Sequence, residues 1–206
     1  PELYPDVDWQ EVLMRDVTLN EKLSVNISGG GKAVRYFSAV SIYNQEGQYD
    51  IQPGAYDWVP SSIGRFGKNV NYTRYNFRTN VDMDITKYTT VSLGLQGNVA
   101  VNTEPYKGSS DVYMWINNCA PNAFPVLYKD GKFPARDGLY NPYIQLTQLG
   151  YKQTTSNELR SNLTIRQDLS FLTKGLSATV RYAYDAVNYN DANRSRELTY
   201  YQAERR

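Results

Sequence analysis

From about Leu19 onward, apolar and polar residues alternate with a period of two, the spacing of a β-strand with one buried face. Leu23, Val25 and Ile27 alternate with Ser24, Asn26 and Ser28 up to the break Gly29-Gly30-Gly31-Lys32. A second run over about 33–44 places Val34, Tyr36, Val40 and Ile42 on one face, so the pair predicts a hairpin. The third run is the clearest. Tyr75, Phe77, Thr79, Val81, Met83 and Ile85 share one face, and Arg74, Asn76, Arg78, Asn80, Asp82 and Asp84 share the other. After Thr86-Lys87-Tyr88, Val91, Leu93, Leu95, Val99 and Val101 oppose Ser92, Gln96, Asn98 and Asn102. A fifth run sets Leu159, Leu163, Ile165 and Leu169 against Arg160, Asn162, Thr164, Arg166 and Asp168. A sixth, after a break at 170–175, aligns Leu176, Ala178, Val180, Tyr182 and Tyr184.

The six runs are longer than ordinary strands, whose commonest length is about 5–6 residues. Tyr and Phe gather near their ends, and connections alternate in length: short at 29–32, 86–88 and 170–175, long at about 45–70, 103–157 and after 186. Long strands, short turns on one side and long loops on the other describe an all-β, antiparallel transmembrane barrel wall, with periplasmic turns and extracellular loops. The third run tests the register. Slipping it by one residue would turn Arg74, Arg78, Asp82 and Asp84 toward lipid. Arg there costs about 2–4 kcal/mol at the bilayer midplane, and carboxylates somewhat less. The charged set is therefore expected to line the lumen, and the apolar set to face outward. Single-chain bacterial barrels begin at about eight strands, so six predicted strands amount to part of a larger one.

Composition narrows the chemistry. The net charge of +1 lacks the concentrated basic footprint of a nucleic-acid binder. The mean hydropathy of −0.60 and the absence of long apolar runs exclude membrane-spanning helices. There is no His, which removes the commonest general base, and one cysteine, Cys119, which can form no internal disulfide. No Ser-His-Asp or Cys-His set exists, so no enzyme and no cofactor is expected. Asp82 and Asp84 share a face as paired carboxylates would, but the adjacent Arg78 favours a lumen charge ladder over a metal site. Gly29-Gly30-Gly31 lacks the following helix that a phosphate cradle requires and reads as a turn.

The opening residues differ from the rest. Asp8 precedes Trp9, Val12 and Leu13 at the spacing of one amphipathic helical turn with Asp8 as its cap. The 103–157 loop is rich in aromatics, with Ser110 or Asp111 expected to cap a helix carrying Val112, Tyr113, Trp115 and Ile116. Long loops are usually functional or disordered, and aromatic density argues against disorder. Tyr113, Trp115, Phe124, Tyr128, Tyr140 and Tyr143 are the candidate contacts to a substrate or partner, or else a small core that holds the loop together.

Several stretches occur in an order that resembles one family. They are Asp6-Val7-Asp8-Trp9-Gln10, Leu23-Ser24-Val25-Asn26-Ile27-Ser28-Gly29-Gly30, Val34-Arg35-Tyr36-Phe37 and Asn44-Gln45-Glu46-Gly47. Further along come Arg74-Tyr75-Asn76-Phe77-Arg78, Asn122-Ala123-Phe124-Pro125-Val126, Tyr140-Asn141-Pro142-Tyr143 and Asp168-Leu169-Ser170-Phe171. In these the chain resembles the SusC/RagA group of TonB-linked outer-membrane transporters of Bacteroidetes-type bacteria. The resemblance implies a large plugged barrel in the outer membrane and uptake of glycan or peptide. It also implies a SusD-like surface lipoprotein over the mouth and a TonB complex reached through a plug absent from these residues. Residues 1–18 are then expected as a connector from that plug, and residues 19–206 as a partial barrel. The alternative reading is a soluble carbohydrate-binding β-sandwich with loop Tyr and Trp as a sugar platform.

Overall fold

The computed structural model describes residues 5–49 and 70–203; most of the expected 45–70 connection lies outside them. Six strands form one antiparallel sheet: β1 (Asn20–Gly30), β2 (Val34–Glu46), β3 (Asn71–Thr86), β4 (Thr89–Pro105), β6 (Gly150–Asp168) and β7 (Ser177–Ser195). Each pairs with its neighbour in that order, so the sheet is a meander. A two-residue parallel pairing joins β5 (Phe133–Pro134) to β8 (Tyr200–Tyr201). Helices α1 (Trp9–Leu13), α2 (Ser109–Asn118) and α3 (Pro142–Thr147) all lie outside the sheet. None is long and apolar enough to cross a membrane.

Register carries the alternation across strands. Tyr36, Val81, Leu93, Leu163 and Tyr182 form one continuous row, and Val34, Met83, Val91, Ile165 and Val180 another. Because side chains point alternately to opposite faces, these rows make a single apolar belt. On β4 the belt runs from Val91 to Val101, the roughly 9–11 residues with which a tilted strand crosses a bilayer. Gly97 interrupts it without leaving a hole: the Phe77 ring lies over the glycine, and a Cβ there would sit 1.9 Å from Phe77 Cε1.

The belt has no layer packed on it among the described residues. Leu23, Val25, Ile27, Val40, Leu93 and Val180 are exposed, Val180 at 67%. A sandwich would have covered these side chains with a second sheet about 10 Å away. The alternative reading of a soluble β-sandwich is therefore corrected to a single-layer wall.

Two strands run farther than expected. β6 begins at Gly150 rather than near Leu159, and β7 continues to Ser195 rather than ending near Asp185, each spanning 19 residues. The added stretches, Tyr151–Glu158 and 187–195, are mostly polar on both faces. Asn157 and Thr155 still pair with Val99 and Val101 of the belt, the residues before Thr155 extend past it, and the large loop shortens to residues 106–149.

Candidate functional site

At the long-loop end of the sheet, the chain builds a cap with the main hydrophobic core of the described residues. Val112 and Ile116, four residues apart on α2, pack with Trp9 and Leu13 of α1, with Phe124, Val126 and Leu127, and with Ile144 and Leu146 of α3. α1 forms as its sequence predicts, with the Asp8 carboxylate accepting from the amides of Gln10 and Glu11 at 3.0 Å each. α2 starts earlier than expected: Gly108, with φ of 89°, stands at the cap, and neither Ser110 nor Asp111 does. A positive φ favours glycine, which carries no Cβ to clash.

The N-terminal segment belongs to this cap. The Val7 amide donates to the Pro121 carbonyl at 3.1 Å, and Gln10 Nε2 donates to Asn117 Oδ1 at 2.7 Å. Arg15 pairs with Glu46 at 3.0 Å, and its amide donates to Gln48. The segment therefore sits at the end of the sheet where the long connections lie.

Asn141 is the node of the cap. Its Oδ1 accepts from the amides of Tyr143 and Ile144, starting α3, while its Nδ2 donates to the carbonyls of Pro125 and Val126. Pro142 at the first helical position needs no amide partner. Asn141→Ala should destabilise the cap by about 2–3 kcal/mol, combining a lost helix cap with unpaired buried groups. Faster hydrogen exchange in α3, with β3 and β4 unchanged, is the expected readout.

The six aromatic candidates separate by burial. Phe124 at 1% and Tyr143 at 8% exposure are core residues, and their rings hold the cap together. Tyr113 at 50% and Tyr140 at 57% face outward. Trp115 is half-buried and stacks on Tyr140 with ring centroids 5.0 Å apart. The half-buried Tyr128 accepts a hydrogen bond from the Ala203 amide at 3.1 Å and lines a cleft of about 360 Å³ with Pro5, Asn122, Phe124, Arg136 and Gln202. Among the described residues of the cap, the surface thus offers the tilted ring pair Trp115–Tyr140, with Tyr113 nearby in sequence on α2.

Two ionisable groups of the loop end are chemically quiet. Tyr49 is buried, its hydroxyl donates to the Ser109 carbonyl, and burial pushes its pKa up to about 12. Burial likewise pushes the Cys119 thiol up to about 11, which suppresses the reactive thiolate at neutral pH.

On the sheet, Arg74, Arg78, Asp82 and Asp84 lie on the face opposite the belt. Asp84 binds Arg35 through two hydrogen bonds of 2.7 and 3.3 Å and accepts from Thr90 at 2.9 Å. Arg35 was not among the expected lumen residues. Its place on the polar face of β2 was readable; its diagonal pairing with Asp84 needed the strand register. Arg74 and Arg78 have no ion-pair partner among the described residues. No group of three or more metal-ligating acids or cysteines occurs among the described residues.

No family model and no curated protein matches the chain. Solved structures do. The chain shares its fold with a chain of the RagAB peptide transporter at a TM-score of 0.60 and 18% identity, covering 91% of this chain and 19% of that one. Two further structures of the RagAB peptide importer, in "closed-closed" and "open-open" states, give TM-scores of 0.58 and 0.57, each at 16% identity and covering 92% of this chain. The chain thus spans about a fifth of the length of these relatives in structure. What is common to all of them is the fold: an antiparallel strand meander of the kind found in RagAB-type transporter chains.

Proposed function

We propose that the chain is a wall segment and outer cap of a TonB-dependent nutrient transporter in the outer membrane of a Bacteroidetes-type bacterium. The observation that carries this reading is the uncovered apolar belt on a single-layer sheet whose other face bears Arg35, Arg78, Asp82 and Asp84. Lipid covers the belt and the polar face lines the passage. β1 and β7 pair on one side only among the described residues, and unpaired backbone groups in hydrocarbon cost several kcal/mol each, so further strands complete the wall. The fold likeness to chains described as peptide importers supports an oligopeptide cargo over a glycan.

Residues 5–18 fit the outer cap better than a periplasmic connector from a plug, because they share a core with the long loop and long loops of such barrels are extracellular. Energy then reaches the wall from a plug and a TonB complex beyond these residues. The test is uptake of labelled oligopeptides and oligosaccharides by cells with and without the full-length protein, with the proton-motive force present or collapsed. Energy-dependent peptide uptake that disappears with the protein is expected; uptake unchanged by its loss would contradict the proposal.

The cap is where a SusD-like lipoprotein or the cargo meets the wall. Stacked, partly exposed aromatics lose little rotamer entropy on binding, which favours Trp115 and Tyr140 as anchors. Trp115→Ala in the full-length protein should weaken that binding by about 2 kcal/mol, roughly thirtyfold in Kd. If Trp115→Ala, Tyr113→Ala and Tyr140→Ala all leave partner and cargo affinities within twofold, the rings serve the cap's own packing instead.

A further inference from the structure

The three short turns have a common composition. Each carries one lysine and no carboxylate: Lys32 between β1 and β2, Lys87 between β3 and β4, and Lys174 between β6 and β7. The sheet order puts all three at the same end, one for every second strand, so neighbouring turns lie roughly 10 Å apart along the rim. All three lysines are exposed, and none makes an ion pair among the described residues. Neither of the two acids nearest the turns pairs with a turn lysine. Asp84 is held by Arg35 and Thr90, and Asp168 accepts from the amide and hydroxyl of Ser170. Two ion pairs form at the opposite end, Arg15–Glu46 and Lys132–Asp130. The turn rim is left with surplus cations.

Apolar rings accompany them. Phe171 and Leu172, in the same turn as Lys174, are exposed at 64% and 67%. Tyr88 lies against Phe171 with centroids 6.2 Å apart, and Lys87 Nζ stands 4.8 Å from the Tyr88 ring centre. A turn in water gains nothing by exposing Phe and Leu. A turn at the headgroup level gains from both features: the rings sit in the interface and the ammonium groups meet anionic headgroups.

We propose that this rim docks the phosphate headgroups of anionic phospholipid in the leaflet reached by the short turns. The proposal rests on the reading of the belt as lipid-facing, and adds a lipid class to it. Its test uses the purified full-length protein in nanodiscs of phosphatidylcholine mixed with phosphatidylglycerol, with retained lipids counted by native mass spectrometry. Phosphatidylglycerol should be enriched at least threefold over its bulk share, less so in high salt. Enrichment should vanish in the combined variant Lys32→Gln, Lys87→Gln, Lys174→Gln, and persist in Lys107→Gln with Lys152→Gln, which lie toward the other end. Enrichment equal to wild type in the triple variant would overturn the proposal. A nitroxide at position 93 in the same nanodiscs separates the two possible failures. If it reports lipid while the triple variant is unchanged, only the headgroup proposal falls; if it reports water, the lipid-facing belt falls with it.

Discussion

Replacing Leu93 with arginine should cost the folded protein about 2–4 kcal/mol in a bilayer, the expense of a cation near the midplane of a barrel's lipid face. Leu93 lies between Val81 and Leu163 in the belt, with its side chain exposed and no layer over it among the described residues. Ser92→Arg is the control. It places the same cation on the opposite face, in register with Asp82 and Thr164, where no like charge faces it directly. Its cost should stay within about 0.5 kcal/mol, as for most surface substitutions. Unfolding of the reconstituted full-length protein by denaturant measures both. Equal, small effects would mean that the belt faces water. A large cost confined to Leu93 cannot come from packing against a second sheet, because none covers the belt among the described residues.

Phe124→Ala should remove about 3–5 kcal/mol from the cap, the range for emptying a buried aromatic site. The ring is among the largest fully buried side chains and packs in the cluster that joins α1, α2 and α3. That cluster is separate from the belt, so the loss should be local. Hydrogen exchange should accelerate at α1, α2 and α3 while protection in β3 and β4 holds. Global loss of the sheet would show that cap and wall fold as one cooperative unit. Tyr140→Ala, by contrast, should leave cap stability nearly unchanged, because its ring is exposed and its main contact is Trp115.

These two variants mark where the sequence was legible. Alternation is informative only where the two faces of a strand meet different surroundings. β3 and the lower part of β4 satisfy that condition, and which residues share a face follows from the alternation over 75–85 and 91–101. Tyr151–Glu158 and the far half of β7 do not, since both faces are polar, and so those residues read as loop although they are strand. The cap was partly legible. The expected helix carrying Val112, Tyr113, Trp115 and Ile116 forms, with Val112 and Ile116 buried and Tyr113 exposed. Phe124 and Tyr143 gave no such signal, because aromatic density does not distinguish a ring in a core from one on a surface. Asn141 was readable as a cap before Pro142; its bonds back to Pro125 and Val126 are tertiary and leave no local trace. Pairings such as Arg35–Asp84 need the strand register, and the attachment of residues 7–15 to the loop cap joins segments more than a hundred positions apart.

The central claim is that one face of this sheet meets lipid and the other meets water. A nitroxide scan along β3 from Tyr75 to Asp84, in the full-length protein with Cys119 replaced by Ser and reconstituted in bilayers, reads it most directly. Oxygen, which concentrates in lipid, and a water-soluble nickel complex report the two surroundings. The account predicts a period of two, with oxygen access high at 75, 77, 79, 81 and 83 and nickel access high at 76, 78, 80, 82 and 84. Nickel access that is high at every position, or an alternation of the opposite phase, would contradict it.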